Sequence, residues 1–173
     1  MRRRTDTTTY LKECMGDALL ELMHEKTINK ISIEELTAKA DVGRSTYFRY
    51  FKCKDDVLSF KISLMWERYI NELPAVSGEN EASRHENIRR FFTFCLSIRQ
   101  IIDMIYKEDH QKILLDMYLN TLDTFITEND AYGYYLKNYF GYGFFGIVNA
   151  WIVKGYEESP EEMAAFLMNK LLS

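Results

Sequence analysis

An all-α fold is predicted, with a small N-terminal helical domain followed by a larger helical bundle. Only two prolines and eight glycines occur in 173 residues, so long helices meet few interruptions. Apolar residues recur at helical spacing along most of the chain, and three stretches carry helix-starting residues. The length is sufficient for two small domains with buried cores. We place the division between residues 1–53 and 54–173.

The first 53 residues contain the most informative series of short helices. Residues 10–23 carry their apolar side chains on one helical face. Ser32 to Glu35 is typical of a capping box, in which the serine accepts a backbone N–H and Glu35 reaches back to the cap. A short helix starts there, residues 41–43 interrupt it, and a second short helix begins at Arg44. Two helices joined by a three-residue turn with glycine predict a helix-turn-helix.

The remaining residues predict a series of longer helices. The first starts at Cys53 or Lys54, where Asp55 and Asp56 complement the helix dipole, and ends before Pro74. The polar residues 75–83 predict the loop between the two domains. The next predicted helix starts at a second capping box, Ser83 to Glu86, and bends near residues 97–99. Further helices are predicted over residues 101–106, over residues 113–126 and over an aromatic stretch that ends near Gly155. The last predicted helix starts at a Ser159 cap and ends at Leu172.

Charge is distributed unevenly along the chain. Residues 1–61 hold 12 Lys and Arg against 10 Asp and Glu, whereas residues 62–173 hold 10 against 16. Within the basic part, residues 42–54 carry four basic and four aromatic side chains and no acid. The pI of 5.5 argues mildly against nucleic acid, but the local field matters more for a small footprint.

Several classes of function lack a signature in the sequence. The three cysteines form no CxxC pair and match no zinc spacing with the histidines, so we expect no metal, no cofactor and a reducing, cytoplasmic setting. No apolar stretch is long enough to span a bilayer, and we expect no membrane partner. No nucleophile–histidine pairing is implied, so we expect no enzyme, although an enzyme that contains a helix-turn-helix is an open alternative.

Residues 31–58, ISIEELTAKADVGRSTYFRYFKCKDDVL, resemble the DNA-binding domain of the TetR (tetracycline repressor-like) family of transcriptional regulators. The match consists of an acidic second helix, a Val-x-Arg turn and a recognition helix rich in Tyr and Phe. The sequence departs from the family at Gly43 and Cys53, where a capping serine is common, and in the order Tyr47-Phe48. The pattern from Gly146 to Met163 is similar to a subgroup that includes dihydroxyacetone-kinase regulators.

The helix that begins at Arg44 is predicted to read DNA. Its spacing turns Tyr47 and Phe51 inward with Val42, so that another face projects at the helix N-terminus. The resemblance implies base contacts from Arg44, Ser45, Thr46 and Phe48, and phosphate contacts from Tyr50 and Lys54. The residues also suggest Lys52 and Ser32 as phosphate contacts. A solvated basic helix is the alternative, and Arg2–Arg4 are either a DNA-binding arm or a disordered tail.

The C-terminal stretch YFGYGFFGIVNAW predicts close helix packing. Gly141, Gly143 and Gly146 each weaken a helix, which close contact in a homodimer would explain; we assign Gly141, Gly146 and Trp151 to that interface. An irregular segment in the core is the alternative. Tyr142, Phe145 and Asn149 are candidates for an effector pocket, although aromatic stripes also form plain core, and Asn149 can instead bond a backbone carbonyl.

Together these observations predict a sequence-specific DNA-binding transcriptional regulator. The resemblance implies a ligand-responsive repressor that binds a palindromic operator in double-stranded DNA as a homodimer and responds to a small-molecule effector. The alternative is a transcriptional co-activator or protein-binding module on the same scaffold. The operator, the effector, the regulated genes and the sign of regulation are not encoded in any motif that we recognise.

Overall fold

The computed structural model describes residues 2–72, 81–125 and 131–170 of the chain. Within these ranges the fold is all-α, as predicted, and no residue forms a strand. A 3₁₀ turn, Ile28–Lys30, lies between the first two helices. The α-helices of the described ranges are α1 Arg2–Glu25, α2 Ile33–Lys39, α3 Arg44–Tyr50, α4 Lys54–Glu72, α5 Glu81–Ser97, α6 Arg99–Lys107, α7 Lys112–Phe125, α8 Ala131–Val153 and α9 Pro160–Lys170.

The chain divides into two compact units. The first unit consists of Met1–Glu67 together with Asp103–Ile113, and the second of Arg68–Ile102 together with Leu114–Ser173. Most of α4 therefore packs with the helix-turn-helix, as does the end of α6. Our division into residues 1–53 and 54–173 stays a prediction.

The core of the first unit is built from the predicted apolar faces. The inward side of α1 buries Met15, Leu19 and Leu22, and α2 buries Leu36. Burial of each such side chain contributes about 1.5–3 kcal/mol. Other side chains buried in this unit are Ile28, Ile31, Val57, Leu58, Ile62 and Ile105. The spacing of the apolar residues in 10–23 thus correctly predicted which face of α1 turns inward.

The second unit has an aromatic core. Phe144 of α8 stacks on Tyr118 of α7 with ring centroids 5.1 Å apart, and its ring also lies 5.1 Å from that of Phe91 in α5. Trp151 meets Phe92 edge to face at 4.9 Å. Offset and edge-to-face pairs each add about 0.5–1.5 kcal/mol beyond the area that they bury. The aromatic side chains of α8 that contact α5 and α7, Phe144 and Trp151 among them, therefore belong to the core of this unit.

Two helix starts were predicted wrongly. Helix α1 begins at Arg2 rather than near residue 10, and α5 begins at Glu81, so that Ser83 lies inside the helix instead of capping it. The Glu86 carboxylate accepts hydrogen bonds from Arg89 and Arg90 one turn later. These bonds lower the pKa of Glu86 to about 2 and occupy the group that the predicted box required.

Other predicted boundaries are confirmed. Helices α5 and α6 are separated at Ile98, within the predicted bend. Ser159 and Glu162 form both halves of a capping box at the start of α9: Ser159 N–H donates to Glu162, and Glu162 N–H donates to Ser159 Oγ. Residues 75–80 of the predicted loop 75–83 lie outside the described residues, and residues 81–83 form the first turn of α5. The side chains of Arg2–Arg4 also lie outside the described residues.

Candidate nucleic-acid interface

Helices α2 and α3 are joined by a closely bonded turn. Ser32 Oγ accepts the backbone N–H of Glu35 at 3.1 Å and caps α2 as predicted, but the Glu35 carboxylate binds Lys26 instead of reaching back. At the other end, Val42 N–H donates to Thr37 O at 3.0 Å. This bond closes α2 in the manner of a Schellman motif. Both ends of α2 are therefore held by local hydrogen bonds.

The residue that reverses the chain in this turn is Asp41. Its φ is 52°, in the left-handed region that aspartate tolerates better than most residues. Gly43 has an extended φ of −66° and is the N-cap of α3, where it makes no side-chain hydrogen bond. We expected a glycine-containing turn, and the turn contains one, but the glycine is not the residue with the unusual backbone.

One face of α3 is anchored in the core of the first unit. Tyr47 is fully buried, and Val42 and Phe51 are buried beside it, as the spacing predicted. The rings of Tyr47 and Phe51 lie 6.1 Å apart, and Phe51 in turn contacts Phe60 of α4. Burial raises the pKa of Tyr47, whose hydroxyl has no hydrogen-bond partner among the described residues. This anchorage orients the opposite face of α3 outward.

The outward face of α3 carries the predicted base-reading residues. Arg44 and Ser45 are exposed, Thr46 is half-buried, and the Phe48 ring is 57% exposed. The structure therefore brings Arg44, Ser45 and Phe48 together on the accessible side of α3.

An ion pair that the sequence did not reveal holds Arg44. Its Nη1 lies 2.6 Å from Oε1 of Glu34 in α2. The two residues are ten positions apart and on different helices, so no i to i+4 pattern indicates the contact. The proposed base-reading arginine therefore has an acidic partner within the protein itself.

The predicted phosphate contacts differ in their surroundings. Lys52 is exposed. The Tyr50 hydroxyl lies 3.4 Å from Thr8 Oγ1 of α1. Lys54, by contrast, directs its Nζ at the carbonyl oxygens of Ile28 and Ile31, each at 2.5 Å. The Lys54 ammonium thus caps the 3₁₀ turn, and its donors are already engaged in the protein.

The Asp56 carboxylate accepts backbone N–H groups of the two residues that precede α4. Asp56 Oδ2 accepts the backbone N–H groups of Lys52 at 2.7 Å and Cys53 at 3.2 Å. The Lys52 bond is the main reason that the pKa of Asp56 is lowered. Asp56 is the third residue of α4, and its bond to the Cys53 N–H is the half of a capping box that reaches back to the N-cap residue.

The turn between α6 and α7 also contacts the helix-turn-helix within the first unit. Glu108 Oε2 accepts the backbone N–H of Ile28 at 2.8 Å. His110 Nδ1 lies 3.9 Å from Oδ1 of Asp55 at the start of α4. Sequence reasoning missed both contacts, since Glu108 stands 80 residues from its partner and no local motif links them.

Of the three residues of α8 assigned to the dimer interface, two are explained by packing within their own unit and one lies beside open space. Trp151 is 2% exposed and donates its Nε1–H to Glu158 O, so it serves the core of its own unit and offers a partner chain little surface. At Gly141 an added Cβ would lie 2.3 Å from Leu119 Cδ2, which explains this glycine by packing against α7. At Gly146 an added Cβ would meet nothing within 4 Å.

The three effector candidates lie side by side on α8 without lining a described cavity. Tyr142 is exposed, and Phe145 and Asn149 are half-buried. A cavity of about 340 Å³ is lined by Trp151, Phe166 and neighbouring residues of α8 and α9. Another, of about 290 Å³, is lined by residues of α4 and α5. Neither cavity includes the three candidates.

The described residues contain neither a group of metal-binding side chains nor a membrane-spanning helix. In residues 2–72, 81–125 and 131–170, no three His, Cys, Asp or Glu side chains are grouped so as to hold a metal ion. The helices of the same ranges include none with both the length and the apolar character required to cross a membrane.

Comparison with known proteins gives one family match. Residues 85–172 match a TetR family model described as the transcriptional regulator C-terminal region. The match covers half of the chain and lies outside residues 31–58, which carry the resemblance to the DNA-binding domain of the family. No curated protein matches the chain.

Proposed function

The chain belongs to the TetR family of transcriptional regulators, and from this we propose that it binds a palindromic DNA operator as a homodimer and represses transcription until a small molecule weakens its DNA binding. The observation that carries the DNA-binding proposal is the α2–turn–α3 arrangement. One face of α3 is anchored by Tyr47 and Phe51, and the other exposes a cationic and aromatic surface. A rigidly mounted helix with such a face suits the major groove.

Four residues of α3 have a proposed role in reading bases. The Arg44 guanidinium suits the O6 and N7 acceptors of guanine, and the Phe48 ring suits the methyl group of thymine. Ser45 and Thr46 carry hydroxyl groups that hydrogen-bond to base edges or to the sugar–phosphate backbone. Their position at the start of α3 favours base contacts, since the N-terminal residues of a recognition helix lie nearest to the base edges.

The proposed phosphate contacts surround this helix. Lys52 is exposed just beyond α3, and Tyr50 and Ser32 carry hydroxyl groups at the end of α3 and the start of α2. Lys54 was expected to join them, but its ammonium is bonded to two carbonyl oxygens of the 3₁₀ turn. We therefore assign the main lysine–phosphate contact to Lys52 and a structural role to Lys54.

A homodimer through α8 is supported by an exposed row of tyrosines. The row consists of Tyr132, Tyr135, Tyr139 and Tyr142, and continues through Gly146 to Val153. The spacing alternates between three and four residues, which is the seam of a left-handed helix pair. Gly146 lies on this seam with open space beside it, whereas Gly141 lies on the opposite side of α8. A two-fold dimer would require a palindromic operator.

The effector proposal is supported by the chemistry of one side of α8. Tyr142, Phe145 and Asn149 follow one another at helical spacing and combine aromatic surface with an amide. A ligand that weakens DNA binding tenfold must favour the non-binding state by about 1.4 kcal/mol, and DNA must weaken the ligand equally. A thermal-shift screen of metabolites followed by operator competition tests this. Hits that stabilise the protein without changing operator affinity would leave the C-terminal part as a dimerisation scaffold.

Selection of bound DNA from a random duplex library tests the DNA-binding proposal directly. We expect enrichment of a palindrome. Arg44→Ala should then cost about 1–3 kcal/mol in binding and relax the preference at one base pair of each half-site. Lys52→Ala is the matched variant: it should weaken binding to all sequences and lower the salt slope by about 1.

The same experiment separates the rival function. A wild-type protein that enriches no sequence would favour the co-activator or protein-binding module, in which α3 contacts another protein. Enrichment of a site without two-fold symmetry would contradict the homodimeric operator while leaving DNA binding in place. Equal loss of sequence preference in Arg44→Ala and Lys52→Ala would contradict the division between base and phosphate contacts. The assignment to the dihydroxyacetone-kinase-regulator subgroup stays a prediction that the operator and effector would test.

A further inference from the structure

Arg44 and Glu34 form an ion pair across the α2–α3 turn. Arg44 Nη1 lies 2.6 Å from Glu34 Oε1, and the two side chains are 57% and 60% exposed. Glu34 is the second residue of α2, and Arg44 is the first residue of α3. The side chain that we propose to read a base is therefore bound by a carboxylate while the protein is free.

The backbone positions of the two partners are set by the turn itself. Ser32 caps the start of α2, and the bond from Val42 N–H to Thr37 O closes its end. Helix α3 is anchored by the buried Tyr47. Since both helices are held, Glu34 presents its carboxylate to Arg44 from a fixed direction, and the arginine loses side-chain freedom before DNA arrives.

The geometry of a guanidinium allows both contacts at once. Arginine carries five N–H donors in a planar fork, and one nitrogen bonded to a carboxylate leaves a second edge free to bond elsewhere. Guanine offers O6 and N7 side by side, which a guanidinium edge matches bidentately. A carboxylate on one edge would therefore fix the direction in which the other edge points.

We propose that Glu34 is the residue that positions Arg44 for one base pair and so sets the sequence preference there; this inference rests on the proposed DNA binding. Glu34 itself contacts no base in this arrangement. Its negative charge also repels the phosphate backbone, and this repulsion is the same for every sequence, so it lowers affinity without adding discrimination. Removal of the charge should therefore lower discrimination more than it lowers affinity.

The test uses the full chain and the duplex that the wild-type protein selects. The base pair read by Arg44 is the one at which Arg44→Ala loses preference. Affinities of wild type, Glu34→Gln, Arg44→Ala and the double variant are measured on this duplex and on duplexes changed at each position of the half-site. Glu34→Gln should reduce discrimination about 2- to 5-fold at the Arg44 position alone, the range of an exposed ion pair. In the Arg44→Ala background it should have no further effect on discrimination.

Glu21→Gln is the matched control. Glu21 also forms an exposed ion pair, with Lys39 at 2.7 Å, and its substitution removes the same charge without touching α3. Discrimination should be unchanged in this variant. An equal loss in Glu21→Gln would assign the effect to net charge and overturn the inference, as would a loss spread evenly over all positions in Glu34→Gln.

Failure of this inference and failure of DNA binding give different results. If the wild-type protein selects a sequence and Glu34→Gln keeps the full preference at the Arg44 position, the positioning role is overturned and the proposed function stands. If the wild-type protein selects no sequence at all, the proposed function is overturned and the positioning role with it.

Discussion

Asp41 and Tyr47 illustrate how single residues shape the proposed DNA-reading surface. Asp41 takes the left-handed backbone conformation that ends α2, and so it determines where α3 begins. Tyr47 fills the space beneath α3 with its ring, while its hydroxyl finds no partner among the described residues. A buried hydroxyl without a hydrogen bond costs about 1–3 kcal/mol, so the ring stabilises the unit and the hydroxyl opposes it.

Tyr47→Phe should stabilise the protein by about 1 kcal/mol, because it removes the unpaired hydroxyl and keeps the ring. Urea denaturation is the measurement, with a raised midpoint and an unchanged slope as the expected result. Tyr50→Phe is the control, since the Tyr50 hydroxyl lies 3.4 Å from Thr8 Oγ1, and this variant should show no gain. A lower midpoint for Tyr47→Phe would mean that the hydroxyl is paired in solution.

At the scale of elements, the crossing of α1 and α4 depends on a glycine and a buried lysine. Lys61 of α4 is buried, and its Nζ lies 2.6 Å from Asp17 Oδ1 and 3.5 Å from Glu13 Oε1 of α1. Gly16 lies between these acids, and an added Cβ would be 2.8 Å from Lys61 Cβ. The lysine reaches its acidic partners over the glycine, which has no side chain to obstruct it.

Gly16→Ala should destabilise the protein by about 1–2 kcal/mol. Overpacking lowers the free energy of unfolding by about 1–3 kcal/mol, and the better helix propensity of alanine offsets up to about 1 kcal/mol of this loss. Lys61 Cβ is too close to the backbone to swing aside, so the helices themselves would have to separate. Gly143→Ala is the matched control, since its Cβ would meet nothing within 4 Å, and it should be neutral or stabilising by thermal denaturation. Equal melting temperatures for wild type and Gly16→Ala would show that α1 and α4 separate freely.

The 3₁₀ turn between α1 and α2 is a second element that depends on distant partners. Glu108 accepts its first N–H, and the Lys54 ammonium binds its carbonyl oxygens. These groups belong to the end of α6 and the start of α4. The turn thus connects the helix-turn-helix to two helices that follow it in the chain.

Lys54→Met should lower the stability of the DNA-free protein by about 1–3 kcal/mol, because two backbone carbonyls lose their charged donor. Methionine keeps the apolar stem, so the loss reports on the ammonium. Lys52→Met is the control: its side chain is exposed, and its effect on denaturation should stay within about 0.5 kcal/mol. If Lys54→Met leaves stability unchanged but lowers the salt slope of DNA binding, the lysine contacts phosphate and the capping role is wrong.

Across the described residues, the row of tyrosines on α8 is the main exposed aromatic surface. Tyr132, Tyr135 and Tyr139 are each more than 60% exposed. Exposed aromatic rings in a continuous row mark an interaction surface more often than a solvated one. A second copy of α8 across a two-fold axis would cover the row with an identical surface.

Tyr139→Glu should convert the proposed dimer into a monomer, because it places two like charges opposite each other at the seam. Sedimentation velocity at micromolar concentration is the measurement. Tyr134→Glu is the matched control: Tyr134 is also exposed on α8 but lies outside the three- and four-residue spacing of the row, and this variant should remain dimeric. A wild-type protein that sediments as a monomer, or loss of the dimer in both variants, would contradict the seam.

Local patterns of residues correctly predicted the helical class, most helix positions and which side chains of α3 are buried or exposed. Helical periodicity is local: residues three and four apart share a face whatever the helix packs against. The burial of Val42, Tyr47 and Phe51 and the exposure of Arg44 and Phe48 could therefore be predicted. The Ser32 and Ser159 caps are local in the same sense, because a cap and its N–H are three residues apart. The Ser83 cap failed because Glu86 had two arginines within one turn.

The hydrogen-bond and ion-pair partners of the charged groups depend on how the helices pack, and local patterns of residues did not predict them. Lys54 binds carbonyls more than twenty residues away, and Glu108 binds an N–H 80 residues away. Arg44 meets Glu34 only because the turn at Asp41 folds α3 back against α2. A long charged side chain can pair with several groups at a similar free energy. The angles between the packed helices determine which of these groups it reaches. Spacing along the sequence does not encode those angles, so it identified Arg44 and Lys54 as important residues without revealing what holds the first and occupies the second.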